Sequence, residues 1–285
     1  MFDGFALDVI DVGEVGLRVR YGGSGPPLLL LHGHPQTHVM WHRVAPLLAR
    51  RFTVFAPDLR GYGDSSKPPT TPDHATYSKR AMANDQLALM QHFGFKQFGV
   101  VGHDRGGRVA YRLALDHPES VVKLAVLDII PTGEAFRRAD MNFGLGYWHW
   151  FFLAQPAPLP EDLIGANPHA YYFRDNRSLF AEEALADYLR VVHDPATIHT
   201  MCEDYRAGAT VDFALDEADR GNRHIQSPLL VLWGKHGPLD RWYDVLSIWR
   251  DWAHDVRGRS LDCGHYLAEE APEETAAELL SFLST

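Results

Sequence analysis

Of 285 residues only Cys202 and Cys263 are cysteine. Two thiols cannot build a disulfide framework or a zinc site, so both read as packing residues and no metal is expected. Long apolar runs are also lacking. Stretches such as Pro26 to Leu31 fall far short of the roughly 20 residues that cross a bilayer. The start, Met1-Phe2-Asp3-Gly4-Phe5, has no basic segment followed by an apolar one, which sets the expectation of an unexported, cytoplasmic protein with no membrane partner. Positive charge is in the minority, with 27 Lys and Arg against 37 Asp and Glu and a net charge of −10. No basic block or stripe compensates for this, which speaks against nucleic acid as a partner. An anionic small substrate would need locally placed arginine or lysine.

What is there is globular. The 46% hydrophobic and 22% charged residues suffice for a sizeable core, and the length allows two domains or one large α/β domain carrying an insertion. Val15 to Tyr21 alternates as a strand does. Leu28 to Leu31, Phe52 to Ala56, Gln97 to Val101, Val121 to Leu127, Leu229 to Trp233 and Arg259 to Leu261 follow as strand-like runs, several apolar on both faces, as in a parallel sheet covered on both sides. Between them lie helix-length segments at Trp41 to Ala49, Tyr77 to Phe93, Gly106 to Asp116, Trp242 to Trp252 and Pro272 to Leu283. Strand alternating with helix predicts a doubly wound α/β fold with a mostly parallel sheet. The alternation stops after Asp128 and resumes near Pro228, across a stretch rich in aromatics. The expected division is a core of residues 1–132 and 223–285, with a helical cap of residues 133–222 over the carboxyl edge of the sheet.

The chemistry concentrates in Val100-Val101-Gly102-His103-Asp104-Arg105-Gly106-Gly107, between a strand and a helix. This is the small-x-nucleophile-x-small pattern of a nucleophile elbow, with Asp104 where acyl-transfer hydrolases carry serine. A carboxylate attacks a saturated carbon, displaces a leaving group and becomes an ester. Water must then be activated to hydrolyse that ester. His265, after the last strand, is the expected base, and its acidic partner is Asp128 or Asp240, each in a loop after a strand. His32-Gly33-His34-Pro35 offers the His34 backbone N–H as one oxyanion donor, with the Arg105 N–H as the other. Arg105 and Arg108, three apart at a helix start, can lean toward one face near Asp104 and grip a carboxylate.

The chain resembles the α/β-hydrolase superfamily and, within it, the haloacetate (fluoroacetate) dehalogenases. The resemblance covers essentially the whole sequence and rests on Gly102-His103-Asp104-Arg105-Gly106-Gly107-Arg108, Leu127-Asp128-Ile129-Ile130-Pro131-Thr132, Tyr147-Trp148-His149-Trp150-Phe151-Phe152 and Asp204-Tyr205-Arg206-Ala207. It implies Asp128 as the acid in place of Asp240, and His149, Trp150 and Tyr205 as donors to the departing halide. It further implies a cofactor-free enzyme, a homodimer, and conversion of short 2-haloacids to 2-hydroxy acids. The chain departs from the family pattern at His34, where an apolar aromatic is usual; an imidazole there could donate to the substrate carboxylate or reshape the halide pocket.

Two rival functions share these motifs. An epoxide hydrolase would use the same Asp104 but needs two cap tyrosines, Tyr205 with Tyr147, Tyr171 or Tyr172, and gains nothing from two arginines. A hydrolase-fold receptor would bind a small ligand without turnover and would not need a complete triad.

Overall fold

The computed structural model describes residues 1–173 and 177–284. Residues 174–176 of the expected cap and residue 285 of the expected core lie outside that description. Eight strands form one sheet in the order β1-β2-β4-β3-β5-β6-β7-β8. In chain order they are β1 (Ala6–Asp11), β2 (Gly16–Gly23), β3 (Pro27–Leu31), β4 (Thr53–Pro57), β5 (Phe98–His103), β6 (Val121–Leu127), β7 (Leu229–Gly234) and β8 (Val256–Leu261). From β4 and β3 to β8 all neighbours run parallel. The central strands are buried along nearly their full length, which is why they read as unbroken apolar runs.

The N-terminal edge departs from the parallel pattern. β2 pairs antiparallel with both β1 and β4, so the chain enters through a hairpin. β1 is mostly exposed, and its apolar residues Leu7, Val9 and Ile10 do not keep the strict alternation that announces a strand. Two expected helices are also broken. Trp41 to Ala49 resolves into a short 3-10 turn, His38–Trp41, and a single helical turn, Ala45–Leu48. Trp242 to Trp252 splits because Asp244 caps a new helix, Val245–Arg250, by accepting from the Ser247 N–H.

Between β6 and β7 there are helices and no strand among the described residues. This helical segment is tied to the core by many hydrogen bonds, several of them buried. Tyr62 donates to Asp204 at 2.6 Å, and Thr37 donates to Asp187 at 2.6 Å. Cys202 and Cys263 are buried and unpaired with each other. No described helix is long and apolar enough to cross a membrane.

Candidate active site

The carboxyl ends of β5, β6 and β8 converge on one cavity of about 320 Å³. Asp104 follows β5 directly, at φ 47° and ψ −117°, a strained conformation of the kind that costs about 1–3 kcal/mol and persists only where its surroundings impose it. Glycine makes the turn possible. A Cβ on Gly102 would stand 2.4 Å from the Gly106 carbonyl oxygen, and one on Gly106 would stand 2.4 Å from that of His32. The elbow helix, Arg105–Asp116, starts immediately after Asp104 and turns its free N–H groups and positive dipole end toward the carboxylate.

One oxygen of Asp104 is held and the other is free. The His34 N–H donates to Oδ1 at 2.9 Å, whereas Oδ2 accepts no hydrogen bond from the described residues; Asp104 lines the cavity. Burial opposes the charge on Asp104, but His265, His103, Arg108 and Arg105 together hold it well below the usual carboxylate range. A buried but ionised carboxylate with one unengaged oxygen has the chemistry to act as a nucleophile at neutral pH.

Asp128 caps the end of β6 and is almost fully buried. The Gly234 N–H donates to its Oδ1 at 2.8 Å, while Oδ2 lies 2.5 Å from Nδ1 of His265. That contact fixes the tautomer with the proton on Nδ1 and leaves Nε2 to face the cavity as a base. Burial lowers the His265 pKa, but hydrogen bonding and charge from Asp128, with Asp104 beyond, raise it above the ordinary histidine value. Asp240 is exposed and accepts from the Trp233 indole at 2.7 Å, so the structure brings Asp128, not Asp240, to the imidazole.

The two arginines differ. Arg108 lines the cavity; its Nη1 donates to the Ile130 carbonyl at 3.0 Å, and Nη2 makes no hydrogen bond with the described residues. Where the sequence suggests two free guanidinium forks, the structure has the Arg105 fork engaged. Asp204 accepts from its Nε at 3.0 Å and from its Nη2 at 2.7 Å, which leaves only Nη1 unbonded among the described residues. The reason is electrostatic: Asp204 is completely buried, and a buried carboxylate requires cations, supplied by Arg105 and Lys79.

His149, Trp150 and Tyr205 all line the cavity from the helical segment. The Arg108 guanidinium lies 4.4 Å from the Trp150 ring centre, and that of Arg105 lies 4.2 Å from the Tyr205 ring centre, both within cation–π range. Burial pushes the His149 pKa down to about 4, so the ring offers an N–H without a charge. His34 also lines the cavity. Burial pushes its pKa down to about 3, and its ring meets Tyr172 and Tyr205 edge-on. Its Nδ1 is buried without a partner, so the ring wall is neutral and the backbone N–H is the group directed at Asp104.

Sequence reasoning missed several residues that the structure places here. Asp204, which belongs to a quoted motif but was given no role, binds Arg105 from 99 positions away. Tyr147, which the sequence offered only as a tyrosine of the epoxide reading, joins the cavity wall beside Tyr171 and Tyr172. His103 donates from Nε2 to the His265 carbonyl at 2.8 Å; its place beside the nucleophile was the available signal.

An eight-stranded sheet with an aspartate elbow, a strand-end acid and a histidine after the last strand defines an α/β hydrolase, and the family described as alpha/beta hydrolase fold matches residues 26–272. The fluoroacetate dehalogenase of Burkholderia sp is 50% identical over 100% of this chain and 95% of its own length. The soluble epoxide hydrolase of Corynebacterium sp. (strain C12) is 34% identical over 94% of each. The solved structure of ALR0039 from Nostoc sp PCC 7120 superposes with a TM-score of 0.98 at 55% identity, covering 100% of this chain and 99% of that one. The chain belongs to the haloacetate dehalogenase family of the α/β hydrolases.

Proposed function

We propose that the protein hydrolyses short 2-haloacids, such as fluoroacetate or chloroacetate, to the 2-hydroxy acid and halide. The supporting observation is the Asp104 carboxylate, ionised and held through one oxygen at 2.9 Å by the His34 N–H. The substrate carboxylate docks against the unbonded Nη atoms of Arg108 and Arg105 and brings the α carbon to Oδ2 of Asp104. Oδ2 forms the C–O bond while the carbon–halogen bond breaks, and the halide leaves with the electron pair. Donors from His149, Trp150 and Tyr205 replace the halide's lost hydration, most of all for small, strongly hydrated fluoride.

In the second step Nε2 of His265 takes a proton from water, and the hydroxide adds to Cγ of the Asp104 ester. Negative charge develops on Oδ1, which already accepts from His34; the N–H of Arg105, at the helix start, completes the expected pair of donors. Collapse expels the alkoxide of the 2-hydroxy acid, which recovers the proton from His265, and the proton left on the Asp104 carboxyl passes to solvent, restoring the carboxylate for the next cycle. Asp128 steadies the imidazolium that forms in between.

A second reading, epoxide hydrolysis, draws on Tyr147 and Tyr205, two tyrosines on the cavity wall, and on the engagement of the Arg105 fork by Asp204. Halide or diol release from fluoroacetate, chloroacetate and a styrene-type epoxide separates the two. In a single turnover in heavy-oxygen water, the label should enter Asp104 and not the first product. A first product carrying solvent oxygen would falsify the ester mechanism.

A further inference from the structure

We infer that Glu270 is a positioning residue for the base: its carboxylate clamps the peptide N–H groups on both sides of His265 and fixes where the imidazole points. This rests on the ester mechanism with His265 as base, not on the identity of the leaving group.

Between β8 and the short helix Leu267–Glu270, the Gly264-His265-Tyr266 stretch has no strand neighbour to pair its backbone. Backbone polar groups removed from water need partners, and here side chains supply them. Oε2 of Glu270 accepts from the Gly264 N–H at 2.8 Å, and Oε1 accepts from the Tyr266 N–H at 2.9 Å. The His265 carbonyl between them accepts from Nε2 of His103 at 2.8 Å. Three successive residues are thus pinned by two side chains, one from the elbow strand and one from beyond the loop.

The packing around this clamp leaves little slack. A Cβ on Gly264 would stand 3.0 Å from each Glu270 oxygen, so glycine is what admits the carboxylate this close. A Cβ on Gly234 would stand 2.0 Å from the Gly264 carbonyl oxygen, and Gly234 is the residue whose N–H holds Asp128. Loop, clamp and acid therefore share one fixed frame. Hydrogen bonds to a charged acceptor are about twice as strong as neutral ones, which suits a loop that must deliver a ring to one place.

The clamp also carries charge. The titratable groups facing His265 are Asp128, Asp104 and Glu270, which raise its pKa, and the imidazoles of His103 and His149, with burial opposing the carboxylates. His265 must be neutral to accept water's proton, so ester decay rises with pH through its pKa. Removing Glu270 lowers that pKa and moves the rising limb to lower pH.

The test is a single turnover of chloroacetate by the full chain, followed by rapid quench and intact-protein mass spectrometry across pH. In Glu270→Ala the Asp104 ester should form at close to the wild-type rate and decay about 10- to 100-fold more slowly, the scale of loss from a misplaced catalytic group. The limb of ester decay should move down in pH. Glu270→Gln keeps the bulk and one acceptor oxygen and should fall between; it decides the matter if the alanine variant does not fold. Equal slowing of both steps, or slower decay with the limb unmoved, would reduce Glu270 to loop stability and overturn the assignment. A wild-type enzyme forming no ester from chloroacetate overturns the haloacid reading instead, and the same comparison then runs on a styrene-type epoxide.

Discussion

The two walls of the cavity are built by different physics. On the sheet side every reacting group is tied by short hydrogen bonds: Asp104 to the His34 N–H, Asp128 to the Gly234 N–H, and His265 to Asp128. On the helical side, the side chains of His149, Trp150 and Tyr205 make no hydrogen bonds with other described residues and are held by ring packing, such as Trp150 edge-on to Phe136 and Tyr205. Hydrogen bonds fix direction to a few tenths of an ångström, whereas packed rings fix position and leave N–H and O–H groups free for a ligand. Under the proposed mechanism, the contrast would give bond making to the sheet wall and leaving-group discrimination to the helical wall.

The largest expected effect tests the sheet wall. Asp128→Asn should slow hydrolysis of the Asp104 ester by about 10⁴-fold, because an amide steers the imidazole into the wrong tautomer. Asp240→Asn should leave it unchanged. Equal loss in both variants, read as ester decay by mass spectrometry, would break the assignment of the acid.

The cap wall comes next. Trp150→Phe keeps a ring over Arg108 but deletes the indole N–H, and removing one such donor costs about 10²–10³ in rate. The loss should fall mainly on fluoroacetate, because chloride is larger, more polarisable and a better leaving group. An unchanged ratio of fluoroacetate to chloroacetate turnover would return Trp150 to packing alone.

The smallest effect lies where the walls meet. Arg108→Leu should cost about 10- to 100-fold in kcat/KM for a haloacid, the worth of one charge-assisted bond at about 1.5–3 kcal/mol, with little effect on the corresponding amide. Comparable rates on acid and amide in the wild type would favour the epoxide reading.

These differences also decide what could be read from the chain. The central strands were legible because burial on both faces leaves continuous apolar runs, and the elbow because its geometry demands small residues at fixed spacing. β1 was not, since on an exposed edge its apolar residues need not alternate, and Val9 and Ile10 stand side by side. Asp128 and Asp240 could not be separated by their residues alone; resemblance favoured the first, and only three-dimensional proximity brings one of them within 2.5 Å of the base. The engagement of Arg105 by Asp204 and the grip of Glu270 on its loop had no local signature. Each depends on a partner across a fold boundary or on backbone atoms that are the same in every residue.

The bond from His34 to one oxygen of Asp104 has a consequence for isotopes. If Oδ1 stays in the grip of that N–H throughout, the carboxylate cannot spin, and its two oxygens remain distinct from one cycle to the next. On the proposed ester route, Oδ2 would depart as the hydroxyl of the product, and the oxygen of the incoming water would take its place as the next attacking atom. The enzyme then runs one turnover behind its solvent: each product hydroxyl is the water captured in the previous cycle, while Oδ1 is never exchanged.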